Sequence, residues 1–335
     1  MCLKNDDSEP HGRTSLKRRL IVTGKILVTV FFCVLIYRHV DWSASRQAMG
    51  AVRPIILVLV FAGMLLNVAV STWKWKILLA MHSISYPFIP LYRYYLIGSF
   101  LNNFLPSTIG GDGYRMYKTA RNPVSKSGAV GSVFMERITG LIALLATGWI
   151  GSAISYFSTG NEVARLLLLW GIGIILTLLM GVGVFRMIPT SSLARLLSRM
   201  PKKIRRAFSC FQDYGRHPRG LATVLLLSVM FQVLLLILYS LLFKEVAGYS
   251  LSICILAVAV CVSTLVALLP VSINGLGLLD GSFIYLLSTF HVSYEHSLIV
   301  MLLIRLLTYA QSLLGGVFYF FEKNIPQEIE SGSTQ

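Results

Sequence analysis

Leu105-Pro106-Ser107-Thr108-Ile109-Gly110-Gly111-Asp112-Gly113 returns 164 residues later as Leu269-Pro270-Val271-Ser272-Ile273-Asn274-Gly275-Leu276-Gly277. Five of the nine positions are identical, and Thr108 is matched by Ser272. Both copies lie in strongly apolar surroundings, and both would break a helix, because proline lacks an N–H and glycine is conformationally free. Irregular backbone at membrane depth survives only where protein buries it or where it lines a polar cavity. Two such breaks in corresponding halves point to the binding site of a transporter. The alternative is a chance likeness between two Gly/Pro turns.

The surroundings decide that this is a membrane chain. Hydrophobic residues make up 55% of 335 positions and charged residues only 13%, half the share of a soluble domain at about 25%. The net charge of +16 would suggest nucleic acid in a soluble protein, but here the basic residues collect in loops between apolar runs, so no nucleic-acid partner is implied. The five cysteines and six histidines show no metal spacing, and Cys33, Cys254 and Cys261 fall in apolar runs. There is no P-loop, dinucleotide fingerprint or nucleophile–base constellation, so the reading names no catalytic residue, metal or cofactor.

A crossing needs about 20 apolar residues. On that measure helices lie near 20–37, 54–73, 128–157, 164–187, 221–243, 251–269, 276–290 and 297–321, with 90–109 as a further, interrupted element. The first is a retained signal-anchor helix, since the bulky Tyr37-Arg38-His39 follows it. The expected fold is therefore all-α and polytopic, with about eight spanning helices, re-entrant or broken helices, and a pseudo-repeat of two halves. The expected layout is a cytoplasmic tail at 1–19, one transmembrane domain at 20–321 and a C-terminal tail at 322–335.

Orientation follows the loop charges. With the N-terminus inside and 90–109 re-entrant, inside segments hold 22 Lys and Arg and outside loops hold 4. A full crossing at 90–109 would invert every later loop, so the bias argues for a segment that enters and returns. The loop 188–220 alternates apolar and basic residues at helical spacing, a pattern that suits an anionic leaflet or an ordinary positive-inside loop.

Ionisable residues inside spans cost roughly 2.5–3.5 kcal/mol each on insertion scales and mark functional sites by default. Glu136 and Arg137 sit well inside a span, Asp112 and Arg115 flank the first Leu-Pro element at i and i+3, Asp280 follows the second, and Arg305 lies in the last span. The expected site is a single polar cavity where the halves meet. Arg115, Arg137 and Arg305 would hold phosphate, because guanidinium matches phosphate oxygens in a fork. Asp112, Glu136 and Asp280 would balance them, while Asn102, Asn103, Ser272 and Asn274 would add neutral hydrogen bonds. Pro106, Gly110, Gly111, Gly275 and Gly277 would break the helices and admit backbone to the ligand. The competing reading is that the charges only pair across helices to fix packing.

At these residues the chain resembles the lysylphosphatidylglycerol synthase transmembrane-domain family, also called flippase-like membrane proteins. The likeness rests on Asn103-Phe-Leu-Pro106 through Gly110-Gly-Asp-Gly-Tyr-Arg115, Glu136-Arg-Ile-Thr-Gly140, Leu269 to Gly277, and Arg305 before Gly315-Gly316. It covers about residues 20–321. Asp280 stands where such proteins often carry Glu, which keeps the charge and shortens the reach. The resemblance implies a lipid-handling protein of the cell membrane, multi-pass, without the soluble synthase domain, so aminoacyl transfer is not carried over.

The leading expectation is translocation of a polar lipid between leaflets: a phospholipid, an aminoacyl-phospholipid or a polyprenyl-phosphate-linked sugar. A lipid-modifying transferase with Asp112 or Glu136 as base is the second. A non-catalytic partner of a separately encoded synthase or glycosyltransferase is the third.

Overall fold

A computed structural model describes residues 50, 52–104, 110–120, 123–173, 213–269 and 275–323. Regular structure among them is helical throughout: α1 (Pro54–Ala80), α2 (Phe88–Phe104), α3 (Gly110–Thr119), α4 (Pro123–Thr159), α5 (Pro218–Ala247), α6 (Ile253–Ala267), α7 (Leu278–Thr289) and α8 (Tyr294–Lys323). Residues 162–173 are helical as well. The chain is an all-α polytopic membrane protein. The apolar run at 20–37, most of the loop 188–220 and the C-terminal tail lie outside the described residues, and the run at 164–187 is described only to Gly173.

Among the described residues four helices are long and apolar enough to cross a bilayer, and they coincide with α1, α4, α5 and α8. α1 and α5 both open on a proline in the first turn, where the missing N–H costs nothing. α5 ends at Gly248, whose φ of 74° supplies the left-handed cap. The pair run antiparallel: Arg53 bonds Glu245, Gly63 faces Leu238, and Gly220 faces Met81.

α2 and α3 do not cross. At about 1.5 Å per residue their 17 and 10 residues reach about 25 and 15 Å, short of a hydrocarbon core about 30 Å thick. They fold back on each other. Asn102 accepts from the Gly111 N–H at 2.8 Å, Tyr94 meets Tyr114 edge-on, and the Tyr86 hydroxyl donates to the Lys118 carbonyl at 3.1 Å. One number rises as the other falls, so the limbs are antiparallel and begin and end at one level. The contact is close because both sides are glycine: a Cβ on Gly111 would lie 1.9 Å from the Gly98 carbonyl oxygen. The segment read as entering and returning is this hairpin.

The apolar runs read at 251–269 and 276–290 are helices too, but shorter than crossings. α6 and α7 have 15 and 12 residues and form a second hairpin, with Gly275 against Ala267 at its tip. Hydropathy registers an apolar run without registering that it stops halfway. α1 also departs from its expected end at 73: it continues through Lys74-Trp75-Lys76 to Ala80, which puts Lys74 inside the protein.

The hairpins enter from opposite faces. The base of the first lies with the ends of α1 and α8, where Lys118 bonds Glu322 at 2.6 Å. The base of the second lies with the end of α4, where Asn161 donates to the Thr289 carbonyl at 2.7 Å. Both tips reach the middle of α8: Asp280 meets Arg305, and Asn103 meets Ser312, seven residues or about 10 Å further along. Each half thus consists of a span, a hairpin and a span. The first hairpin packs on α8, and the second packs on α4 through Gly148 and Gly151. Because α1 and α5 are equivalent yet antiparallel, the halves are inverted repeats.

Candidate functional site

The start of α3 sets the site. Gly110 and Gly111 bring the helix N-terminus against α2, and Asp112 falls in the first turn, where the helix dipole favours a carboxylate. Asp112 receives Arg137 from α4 as a fork: Nη2 donates to both carboxylate oxygens at 3.0 Å and Nε donates at 3.2 Å. The Arg137 side chain keeps 62% of its surface open.

Arg115, one turn later, is placed differently. Its side chain is 4% exposed and pairs with Glu136, while Asp112 lies 3.7 Å away. The rings of Trp75 and Tyr95 flank the guanidinium, each with its centroid 4.2 Å away. Glu136 also accepts from the Tyr95 hydroxyl at 2.9 Å, and Trp75 is fixed by its indole N–H on Ser132 at 3.1 Å. Lys74 is buried close by, with its ammonium 5.6 Å from the Phe231 ring. Three cations therefore face two carboxylates, and the excess is one positive charge.

Beside this cluster lies a cavity of about 260 Å³ between the first hairpin and α8. Asn102, Asn103, Asp112, Arg115 and Arg137 line it, all read from the sequence as site residues. Tyr95, which the sequence offers as either a pocket or an interface-belt residue, lines it too, as do Ser99, Thr308, Gln311 and Ser312, which the sequence reading passed over. Their signal was weak, since single hydroxyls and amides in an apolar helix satisfy themselves on the preceding turn, as Thr308 does on Ile304. Gln311, Ser312 and Thr308 do share one face of α8 at three- and four-residue spacing.

Arg305 and Asp280 are not among the cavity residues. Arg305 Nε bonds Asp280 at 2.6 Å and Nη2 bonds the Gly275 carbonyl at 3.3 Å. Gly275 and Gly277 take φ of 70° and 76°, which turns the chain so that the Gly277 N–H reaches Asp280 at 2.9 Å. The structure thus brings Arg115 and Arg137 together and leaves Arg305 at the other tip, because the second hairpin comes from the opposite face. Pro106, Ser272 and Asn274 lie outside the described residues.

The arrangement can present one forked guanidinium and a ring of neutral donors and acceptors to a head group, within a wall that stays charged but balanced. Relatives agree with its membrane setting. Residues 22–315 match the family described as Lysylphosphatidylglycerol synthase TM region. The UPF0104 membrane protein MJ1078 of Methanocaldococcus jannaschii is 27% identical over 234 residues, 68% of this chain and 97% of that protein. The match extends over most of the chain and takes in both hairpins, so this protein belongs to the lysylphosphatidylglycerol synthase transmembrane-region family.

Proposed function

We propose that this protein moves a polar lipid between leaflets, with the head group passing through the cavity while the acyl chains stay in the bilayer. The observation that supports it is the Asp112–Arg137 fork, open to a polar cavity between a broken helix and α8. A phosphate takes the place of part of that fork, since guanidinium binds phosphate and carboxylate in the same planar geometry. Asn102, Asn103 and Gln311 serve the hydroxyls or amines of the head group. In this reading the membrane is the cell membrane and the face bearing Lys118, Arg216 and Arg219 is cytoplasmic, with the N-terminus on the same side. A separately encoded synthase or glycosyltransferase supplies the lipid.

The test is leaflet exchange of acyl-labelled phosphatidylglycerol and phosphatidylethanolamine in reconstituted vesicles. Wild-type protein speeds exchange above empty vesicles, and Arg137→Ala loses about ten- to hundredfold, the worth of a charge-assisted hydrogen bond. Exchange no faster than in empty vesicles, across these and polyprenyl-phosphate lipids, refutes the proposal. A chemically altered lipid would mean a transferase instead.

A further inference from the structure

The start of α5 is charged against its own dipole. Pro218 opens the helix, no acidic residue stands in its first turn, and Arg216, His217 and Arg219 gather at the end where the peptide dipoles leave a partial positive charge. α3 fills the same position with Asp112. A helical N–H bond runs from Leu221 to the His217 carbonyl, so the Arg219 and Gly220 N–H groups precede it, and the His217 side chain does not cap them. Asp213 meets Arg216 only at 3.5 Å, and that arginine keeps 80% of its side-chain surface open. Cations and uncapped N–H groups at one helix start are a mismatch that a bound anion relieves.

The ends of α1 and α5 also shape a groove for that anion. A cavity of about 500 Å³ lies between Ile77, Ala80 and Met81 on one side and Arg216, His217 and Arg219 on the other. It shares no residue with the cavity at Arg137. Gly220 lets the two helices close, since a Cβ there would come 2.4 Å from Met81 Cε. The apolar wall continues along α1: Trp73, Ile77 and Ala80 recur at four and three residues and so share one face, and Trp73 is exposed. The groove thus joins a basic mouth at the end of a span to an apolar floor that runs toward the bilayer. That form suits a phospholipid rather than a free anion.

We propose that this groove binds one anionic phospholipid, of the class of phosphatidylglycerol, as a resident rather than as cargo. Its phosphate accepts from Arg216, Arg219 and the N–H groups that open α5, while an acyl chain lies on Ile77 and Trp73. The lipid ties the end of α1 to the start of α5, the antiparallel pair that relates the two halves. The site stands whether or not the protein moves lipid between leaflets.

Mass spectrometry of the intact complex tests it, in an Arg137→Ala background that removes the open cation of the other cavity. Protein in detergent is equilibrated with equal amounts of phosphatidylglycerol and phosphatidylcholine. Phosphatidylglycerol should stay bound in preference, and Arg216→Ala with Arg219→Ala should cut its retention about tenfold or more. Ala80→Trp, at an exposed position, should cut it comparably by filling the groove with every charge still in place. Arg165→Ala, which removes an exposed arginine near the opposite face, should leave it unchanged. Equal retention of phosphatidylcholine, equal loss in Arg165→Ala, or full retention in Ala80→Trp overturns the proposal. Competition by inorganic phosphate that Ala80→Trp does not alter marks a free-anion site and overturns it too. As a second measurement, phosphatidylglycerol should raise the thermal midpoint of the Arg137-intact protein above its value in phosphatidylcholine. The double arginine variant should keep the value in phosphatidylcholine and lose the rise; a rise that survives there refutes the resident lipid.

Discussion

Arg115 and Arg137 show how two arginines on adjoining helices take opposite roles. Arg115 is enclosed by Trp75, Tyr95 and Glu136, so its removal strands a buried carboxylate. Arg115→Ala should cost about 3–5 kcal/mol of stability, read as a fall in thermal midpoint in detergent. Arg137→Ala removes a mostly open side chain and should cost no more than about 1 kcal/mol while depressing lipid exchange. The charges themselves were legible in the sequence, because ionisable residues in apolar runs are rare. Which arginine is spent on packing was not, since that depends on the aromatic residues of α1 and α2 closing over it. Lys74 was hidden for another reason: Trp73-Lys-Trp-Lys looks like a membrane interface, and only the continuation of α1 to Ala80 places it inside.

At the scale of the element, the hairpins depend on glycine contacts. Gly111→Ala should break the α2–α3 contact and cost at least about 1–3 kcal/mol, because its methyl would meet the Gly98 backbone. Gly113→Ala, two residues on and facing open space, should stabilise α3 by about 0.5–1 kcal/mol. Thermal unfolding of the two variants side by side checks both. The connection at the end of α1 adds a pH dependence. His82 sets its ring edge-on against Tyr214, 4.7 Å between centroids, and burial chiefly holds its pKa below the ordinary value; Asp213 opposes this and His217 adds to it. A histidine that binds its proton more weakly folded than unfolded lends stability above the unfolded pKa of about 6.5 and loses it as pH falls through the lowered folded value. The thermal midpoint should therefore drop between pH 7 and pH 5, and His82→Phe should flatten that drop. The breaks at Leu-Pro were plain from composition. Their depth was not, because an apolar run of 15 residues and one of 20 differ little in hydropathy.

Across the whole molecule, the halves are interlocked rather than set side by side. The larger apolar core gathers Leu242 and Phe243 of α5, Leu256 of α6, Phe283 of α7 and Val300 of α8, while the first half surrounds its charges with Trp75, Leu91 and Tyr94. Because each hairpin seats on a span of the other half, damage to one core should reach both. Phe283→Ala should cost about 3–5 kcal/mol and should raise amide exchange in α2 and α3 as well as in α7. Exchange confined to α7 would show two independent units. The nine-residue repeat made the two halves visible. Their inversion was not visible, since it follows from α1 and α5 lying antiparallel.

Gly315 has one more consequence. A methyl there would sit 2.0 Å from the Leu96 carbonyl oxygen, and Ser312 follows its partner Asn103 by 209 residues. The first hairpin thus leaves the ribosome long before its seat exists. Until the final helix is made it has only α1 and α4 to pack on, and a chain halted before residue 294 lacks the seat on α8.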